Sequence, residues 1–121
     1  QPSFSTVMRL SYWKETLALV PSHPLLGVGP GNFNLPQTRY AHNSFLQFLA
    51  EAGILGLGAL LWLITAVFTR TRQRIRSEEQ PLERLCIACA VSVFLVHNLV
   101  DFTFFLPEIS HIWWLLLGLL L

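Results

Sequence analysis

The amino-acid sequence predicts an all-α protein: a polytopic helical membrane protein fragment with an extracytoplasmic loop. The chain is 53% hydrophobic and only 12% charged, with a mean hydropathy of +0.52, whereas a soluble domain usually carries about 25% charged residues. Long apolar stretches alternate with polar ones, and arginines concentrate between two of these stretches. A small soluble domain is therefore disfavoured, and the net charge of +1 gives no general attraction to nucleic acid.

Residues 1–42 form the polar third of the chain, which we interpret as a loop segment with one short helix. Apolar residues recur at partly helical spacing over 3–19, which predicts a short amphipathic helix that ends before Pro21. Prolines and glycines then crowd the stretch 21–31, which excludes a regular element there. The glycines permit positive φ or close backbone approach, so we predict a structured loop.

The remaining residues are predicted to cross the membrane in helices. Residues 43–69 form the first transmembrane helix, in which Gly53, Gly56 and Gly58 would let a neighbouring helix approach closely. Residues 70–84 form a basic link, and residues 85–106 form the second transmembrane helix. Residues 107–121 begin a third helix, with Trp113 and Trp114 expected at the interface. The last apolar stretch is shorter than the roughly 20 residues that a span needs, so we expect a piece of a longer membrane protein.

The arginines of the basic link set the topology. Arginines that directly follow a span indicate the cytoplasmic side, so residues 70–84 are predicted to be cytoplasmic and residues 1–42 periplasmic. The same topology places five ionisable side chains at the outer face although they are far apart in sequence: Arg9, Arg39, His42, His97 and Asp101. This convergence predicts a functional site at the outer membrane face.

Two polar patterns lie near the outer helix ends. Asn43, Gln47 and Glu51 share one helix stripe, and His97 and Asp101 stand four residues apart, where their side chains would meet. Ionisable groups at membrane depth cost at least about 2.5 kcal/mol each, so they usually face protein or a wet cavity. These residues either line a site or only pin the helices together, and the spacing leaves both interpretations open.

His42 lies at the junction between the loop and the first spanning helix, whose start Asn43 or Ser44 would cap. A histidine there suits a general base, because a neutral imidazole nitrogen can accept a proton. The alternative is an interfacial histidine without chemistry. Cys86 and Cys89 form a C-x-x-C without the second ligand pair that a zinc site needs, so we predict buried cysteines that act as small hydrophobes.

Several segments resemble, in the family's order, the C-terminal part of the O-antigen ligase and polymerase superfamily. They are Arg9-Leu-Ser-Tyr-Trp13, His23-Pro-Leu-Leu-Gly-Val-Gly-Pro-Gly-Asn-Phe33, His42-Asn-Ser-Phe-Leu-Gln47, Glu51-Ala-Gly-Ile-Leu-Gly56 and His97-Asn-Leu-Val-Asp-Phe102. The resemblance implies a multi-pass protein of the bacterial inner membrane. It further implies transfer of a glycan from undecaprenyl diphosphate to a lipid A core, a glycan or a protein hydroxyl.

The resemblance also implies roles for individual residues in a metal-independent, cofactor-free inverting transfer. His42 matches the proposed base and Arg9 the proposed diphosphate-binding arginine, while Arg39 is a second phosphate candidate because it lies near His42. Further candidates for substrate binding are the polar residues at the same face: Asn43, Glu51, His97 and Asp101. The expected partners are the lipid-linked donor, the acceptor and membrane lipid, without nucleic acid.

Two other functions compete with the enzyme. The same helical block occurs in membrane proteins described as inorganic carbon transport components, in which case Glu51, His97 and Asp101 would line a path for that or another small solute. Transporters place polar groups near the membrane midplane, whereas the polar groups here gather near one face, which favours an interfacial enzyme. A non-catalytic scaffold would tolerate His42→Ala.

Overall fold

The structure, a computed structural model, describes residues 4–77 and 81–121, and within these ranges it is helical without a β-strand. The all-α prediction is confirmed. Four α-helices follow in order: α1 (Phe4–Leu19), α2 (Ser44–Ser77), α3 (Leu82–His97) and α4 (Pro107–Leu119). Short 3-10 turns cover Val20–Ser22 and Thr103–Phe105.

The helix α2 is the longest of the four α-helices. Within the described ranges it alone is long and apolar enough to cross a membrane. Only 17% of its most apolar window is buried inside the chain, unlike the core helix of a soluble protein. The helices α3 and α4 have 16 and 13 residues and fall short of a full span, so the multi-pass arrangement stays a prediction.

At Gly53 the helix α2 breaks, with φ 68° and ψ −171°. In an uninterrupted helix the carbonyls of residues 50 and 51 would accept the N–H groups of residues 54 and 55. All four groups bond instead to residues 24–29, which we call the pairing loop. Val28 and Gly29 each donate at 2.9 Å to the carbonyls of Ala50 and Glu51, while Ile54 and Leu55 donate at 2.9 and 3.2 Å to those of Pro24 and Leu25.

Two glycines allow this approach. A Cβ on Gly53 would collide with the Leu25 carbonyl, and a Cβ on Gly27 would collide with the Glu51 carbonyl. Both glycines also have positive φ, which L side chains adopt at a cost. The close approach predicted for the glycines of α2 is therefore made at Gly53 by a loop.

The helix bounds differ from the predicted spans most at two C-terminal ends. The helix α2 continues through the arginines to Ser77, where the sequence suggested a polar link from residue 70. The helix α3 ends at His97 instead of continuing to residue 106. We attribute this early end to Asn98. Its side-chain oxygen accepts the N–H of Phe104 at 2.9 Å, which stabilises the turn that follows the helix.

Two apolar clusters flank α2. The first joins α2, α3 and α4, and its buried members are Val67, Val91, Trp113, Leu117 and Leu120. The second lies under the loop and α1, and its buried members are Phe33, Leu35, Ala41 and Ala50, with Tyr12 and Leu19 packed against them. The second cluster supports the candidate site described next.

Three side chains lie elsewhere than predicted. Trp113, expected at the interface, is only 2% exposed and its indole Nε1 donates to the Val91 carbonyl at 3.3 Å, whereas Trp114 keeps an exposed position. The prediction of buried cysteines was wrong, because Cys86 and Cys89 are free and exposed on α3. A helix with apolar residues on every face gives no sequence signal of which face is covered.

Candidate active site at the loop–helix junction

His42 stands immediately before α2 in a left-handed backbone conformation, with φ 52°. It is the one described non-glycine residue with positive φ, a conformation that costs about 1–2 kcal/mol for an L residue. Asn43 follows as the helix cap, since its Oδ1 accepts the N–H of Leu46 at 3.0 Å. The cap predicted at Asn43 or Ser44 is thus made by Asn43, while the left-handed residue turns the chain from the loop into the helix.

A buried polar chain holds the backbone beside His42. The side-chain carbonyl of Gln47 accepts the N–H of Ala41 at 3.1 Å, and its amide donates to Glu51 Oε1 at 3.1 Å. The other carboxylate oxygen of Glu51 accepts the N–H of Gly31 at 3.0 Å. Gln47 and Glu51 are only 2% and 7% exposed. Gln47 and Glu51, two residues of the predicted stripe on α2, therefore hold the loop at Ala41 and at Gly31.

The segment after α3 fastens the start of α2 from the other side. The Ser44 N–H donates to the carbonyls of Asn98 and Asp101, and the Ser44 hydroxyl donates to Asn98 Oδ1. Asn98 is fully buried and its amide also donates to the Phe94 carbonyl at 2.9 Å. Residues 44 and 98–101 are thereby joined through fixed hydrogen bonds.

Aromatic rings surround the His42 imidazole. Tyr12 on α1 stacks with it at 5.8 Å between ring centroids, and Phe102 meets it edge to face at 5.0 Å. Phe102 also stacks on Tyr40 at 4.3 Å. Neither imidazole nitrogen of His42 has a hydrogen-bond partner within 4–77 and 81–121, so the packing orients the ring by contact and leaves both nitrogens available.

His42 and Arg9 line the same pocket, which we call the Arg9 pocket. Its volume is about 290 Å³, and it is lined by Ser5, Met8, Arg9, Tyr12 and His42. No carboxylate is among these lining residues. The Arg9 guanidinium forms no ion pair with any acid in the described part of the chain, so its charge is available to an anion.

Arg39 lies in a different pocket, the Arg39 pocket, of about 260 Å³. Its lining residues are Gly31, Phe33, Arg39, Tyr40, Gln47, Glu51 and Phe105. The segment 39–42 contributes to both pockets, because Arg39 and Tyr40 line this one while His42 lines the Arg9 pocket. The two basic residues that the sequence grouped together thus belong to separate pockets.

The remaining predicted site residues line neither pocket. His97 Nε2 lies 2.9 Å from Asp101 Oδ2, as the spacing predicted, and the pair is partly exposed. Asp101 also accepts the N–H of Phe102 at 2.7 Å and so orders the segment that carries this ring. Asn43 acts as a helix cap. The structure thus groups Arg9 with His42 and Arg39 with Glu51, and His97 and Asp101 line neither of these two pockets.

Sequence reasoning did not single out the aromatic residues of the site. Tyr12 and Phe102 lie within the family-like segments and Tyr40 lies two residues before His42, but aromatic residues are common in membrane proteins and give no signal alone. Asn98 was also missed as an organising residue. The available signal is an asparagine next to a histidine at the end of an apolar run, because a buried amide needs several partners.

The fold and this junction define a class: a helical membrane protein with a basic, histidine-containing pocket at one end of its long apolar helix. A family model described as O-antigen ligase matches residues 1–61, half of the 121-residue chain. The chain belongs to the O-antigen ligase family, a class of bacterial inner-membrane glycosyltransferases of the ligase or polymerase type. The matched range contains both pockets except Phe105. No individual curated protein and no solved structure matches the chain.

Proposed function

We propose that the protein transfers a glycan from undecaprenyl diphosphate to a hydroxyl group of a lipid A core, a second glycan or a protein. One observation carries the proposal: His42 and Arg9 line one pocket although they are separated by the whole loop. A base and a lone cation are the two groups that displacement of a diphosphate requires. The family match supports the same class of reaction.

In the proposed reaction His42 removes the proton from the acceptor hydroxyl. The acceptor oxygen forms a bond to the anomeric carbon of the donor sugar on the face opposite the leaving group. The bond between that carbon and the diphosphate oxygen breaks, and its electron pair leaves with undecaprenyl diphosphate. The anomeric configuration is inverted. A general base of this kind contributes roughly 10²–10⁴-fold to a rate.

Arg9 is proposed to bind the diphosphate. A guanidinium keeps its charge and donates two parallel hydrogen bonds to phosphate oxygens, so it stabilises the negative charge that grows on the leaving group. The lack of a carboxylate among the residues lining the Arg9 pocket avoids repulsion of this dianionic group. The pocket adjoins the start of α2, which supports a site at the outer membrane surface and a periplasmic position for residues 1–42.

The transport alternative receives less support from the geometry. Glu51 holds the loop through Gln47 and Gly31, while His97 and Asp101 pair with each other away from it. A solute path would require these groups to line a common cavity. They line no common pocket among those described.

The proposal is tested with the full-length protein in cells that lack their own ligase. We expect His42→Ala to lower transfer roughly 10²–10⁴-fold with unchanged membrane abundance. His111→Ala, an exposed histidine on α4, is the matched control and should transfer at the wild-type rate. Full transfer by His42→Ala would refute the base assignment.

Arg9 is tested in the same assay with two variants. Arg9→Ala should lower the rate by about 10²–10³-fold, the usual effect of losing a group that stabilises developing charge. Arg9→Lys keeps the charge but loses the bidentate fork, so it should recover only part of the rate. Equal activity of wild type and Arg9→Ala would contradict the diphosphate role.

A further inference from the structure

The Arg39 pocket contains a carboxylate, Glu51, whereas the Arg9 pocket contains none. This difference in charge indicates a different ligand. We propose that the Arg39 pocket binds a pyranose ring of one of the two glycan substrates, an inference that rests on the proposed transfer. The phosphate role suggested for Arg39 by its position in the sequence then belongs to Arg9 alone.

Charge separates the two pockets. Glu51 lines the Arg39 pocket together with Arg39, whereas no carboxylate lines the Arg9 pocket. A carboxylate repels phosphate oxygens at short range, so the Arg39 pocket is poorly suited to a diphosphate. A neutral ligand that both donates and accepts hydrogen bonds suits a wall made of a carboxylate and a guanidinium.

The Glu51 carboxylate in the polar wall is held by internal hydrogen bonds and still has free acceptor positions. Each Glu51 carboxylate oxygen accepts one internal hydrogen bond, from Gln47 at 3.1 Å and from Gly31 at 3.0 Å. A carboxylate offers about four acceptor positions, so capacity remains for a ligand hydroxyl. Arg39 is exposed and lines the same pocket, so its guanidinium supplies the donors. Neighbouring hydroxyl groups of a sugar ring match such a donor and acceptor pair.

The apolar wall matches the other surface of a sugar. Phe33, Tyr40 and Phe105 line the same pocket, and Phe102 fixes the Tyr40 ring by stacking at 4.3 Å with an interplanar angle of 13°. The C–H groups on the face of a pyranose ring pack against such aromatic surfaces. Small-ligand sites generally combine aromatic walls with a few placed polar groups.

The position of the pocket connects it to the proposed base. Phe102 contacts the rings of both Tyr40 and His42, and only Ala41 separates these two residues in the chain. A sugar ring held beside Tyr40 therefore lies next to the segment that carries His42. The structure thus offers one pocket for the charged leaving group and one for a neutral ring.

The test is steady-state transfer by the full-length protein, with donor and acceptor varied in turn. We expect Arg39→Ala to raise KM for one glycan substrate about tenfold, the usual effect of a lost charged hydrogen bond. A raised KM for the acceptor assigns the ring to the acceptor, and a raised KM for the donor assigns it to the donor sugar. Arg76→Ala, an exposed arginine at the far end of α2, should change neither value.

A binding measurement that needs no turnover separates this inference from the proposed reaction. The probes are methyl α-glucoside and methyl α-galactoside, observed by saturation-transfer NMR on full-length His42→Ala protein. The double variant that also carries Arg39→Ala should lower their signal at least about threefold, whereas the double variant that also carries Arg76→Ala should retain it. Unchanged KM values together with a signal that does not depend on Arg39 would overturn the pocket assignment. Full transfer by His42→Ala would instead refute the reaction and leave the binding result standing.

Discussion

The side-chain carbonyl of Gln47 accepts the backbone N–H of Ala41 at 3.1 Å, and the next residue, His42, is the left-handed one. Gln47 thus holds the Tyr40–Ala41 peptide, which directly precedes the candidate base. Glu51 in turn holds the Gln47 amide. Gln47 and Glu51 of α2 therefore help to set the orientation of His42 in the loop.

Gln47→Leu should destabilise the protein and also slow transfer. The variant leaves the Ala41 N–H and one Glu51 oxygen without a partner, at about 1–3 kcal/mol for each buried group. The measurement is the thermal midpoint of the purified full-length protein in detergent, together with its transfer rate. Gln73→Leu, at an exposed position of the same helix, is the control and should behave as wild type. Equal behaviour of the two variants would show that the Gln47 contacts are dispensable.

Gly53→Ala should disrupt the junction, whereas Gly58→Ala should be tolerated. A Cβ at Gly53 collides with the Leu25 carbonyl and the residue has φ 68°, while a Cβ at Gly58 meets nothing within 4 Å. We expect a loss of roughly 2–5 kcal/mol for Gly53→Ala from the left-handed conformation and the collision. Gly58→Ala should stabilise α2 by up to about 1 kcal/mol. Thermal unfolding of the two variants side by side decides this, and similar midpoints would contradict the break in α2.

Asn98→Leu should loosen the attachment of α3 to the start of α2. The Phe104 N–H would lose its acceptor, at about 1–3 kcal/mol for a buried unsatisfied group, and the Ser44 hydroxyl would lose Asn98 Oδ1 and keep only the Asp101 carbonyl at 3.1 Å. Asn98→Asp keeps the acceptor for Phe104 but sets a carboxylate oxygen against the Phe94 carbonyl at a fully buried position, so it should not restore the attachment. Limited proteolysis between residues 98 and 106 reports the loosening. Asn34→Leu, at an exposed loop position, should leave the cleavage pattern unchanged.

The proposed topology predicts opposite labelling of two engineered cysteines. Cys86 and Cys89 are exposed, so both must first be replaced by alanine to remove their own labelling. A membrane-impermeant maleimide should then label Arg39→Cys in intact cells with a permeabilised outer membrane. It should label Arg74→Cys only after the inner membrane is opened. Labelling of Arg74→Cys alone in intact cells would invert the topology and remove the periplasmic site.

The sequence predicts the fold class, and it also predicts that Arg9 and His42 lie near each other, as the structure has them. Apolar runs, the proline and glycine loop and the arginines are local signals, and each identifies its element without tertiary information. The neighbourhood of Arg9 and His42 also follows from topology together with the family motifs. The pairing of His97 with Asp101 follows from helical spacing alone.

Other features of the site depend on contacts between segments distant in the chain. The split of Arg9 and Arg39 into two pockets depends on how residues 39–42 turn, and the left-handed His42 is set by Gln47 and Asn43 together. In the sequence, Gly53 looks like any small residue of a membrane helix. The break becomes visible only in the structure, where the pairing loop bonds to the backbone on both sides of Gly53. The end of α3 at His97 is likewise decided by Asn98, which bonds residues on two other segments.

The pairing loop has a consequence for biogenesis. Residues 24–29 leave the ribosome before α2, yet they supply partners for four backbone groups of that helix. In lipid these groups have no water to bond, and each unsatisfied one costs several kcal/mol. A newly inserted α2 is therefore expected to cross first as a continuous helix and to open at Gly53 only when the loop docks. Assembly of the site would then be a late, separate event after membrane insertion.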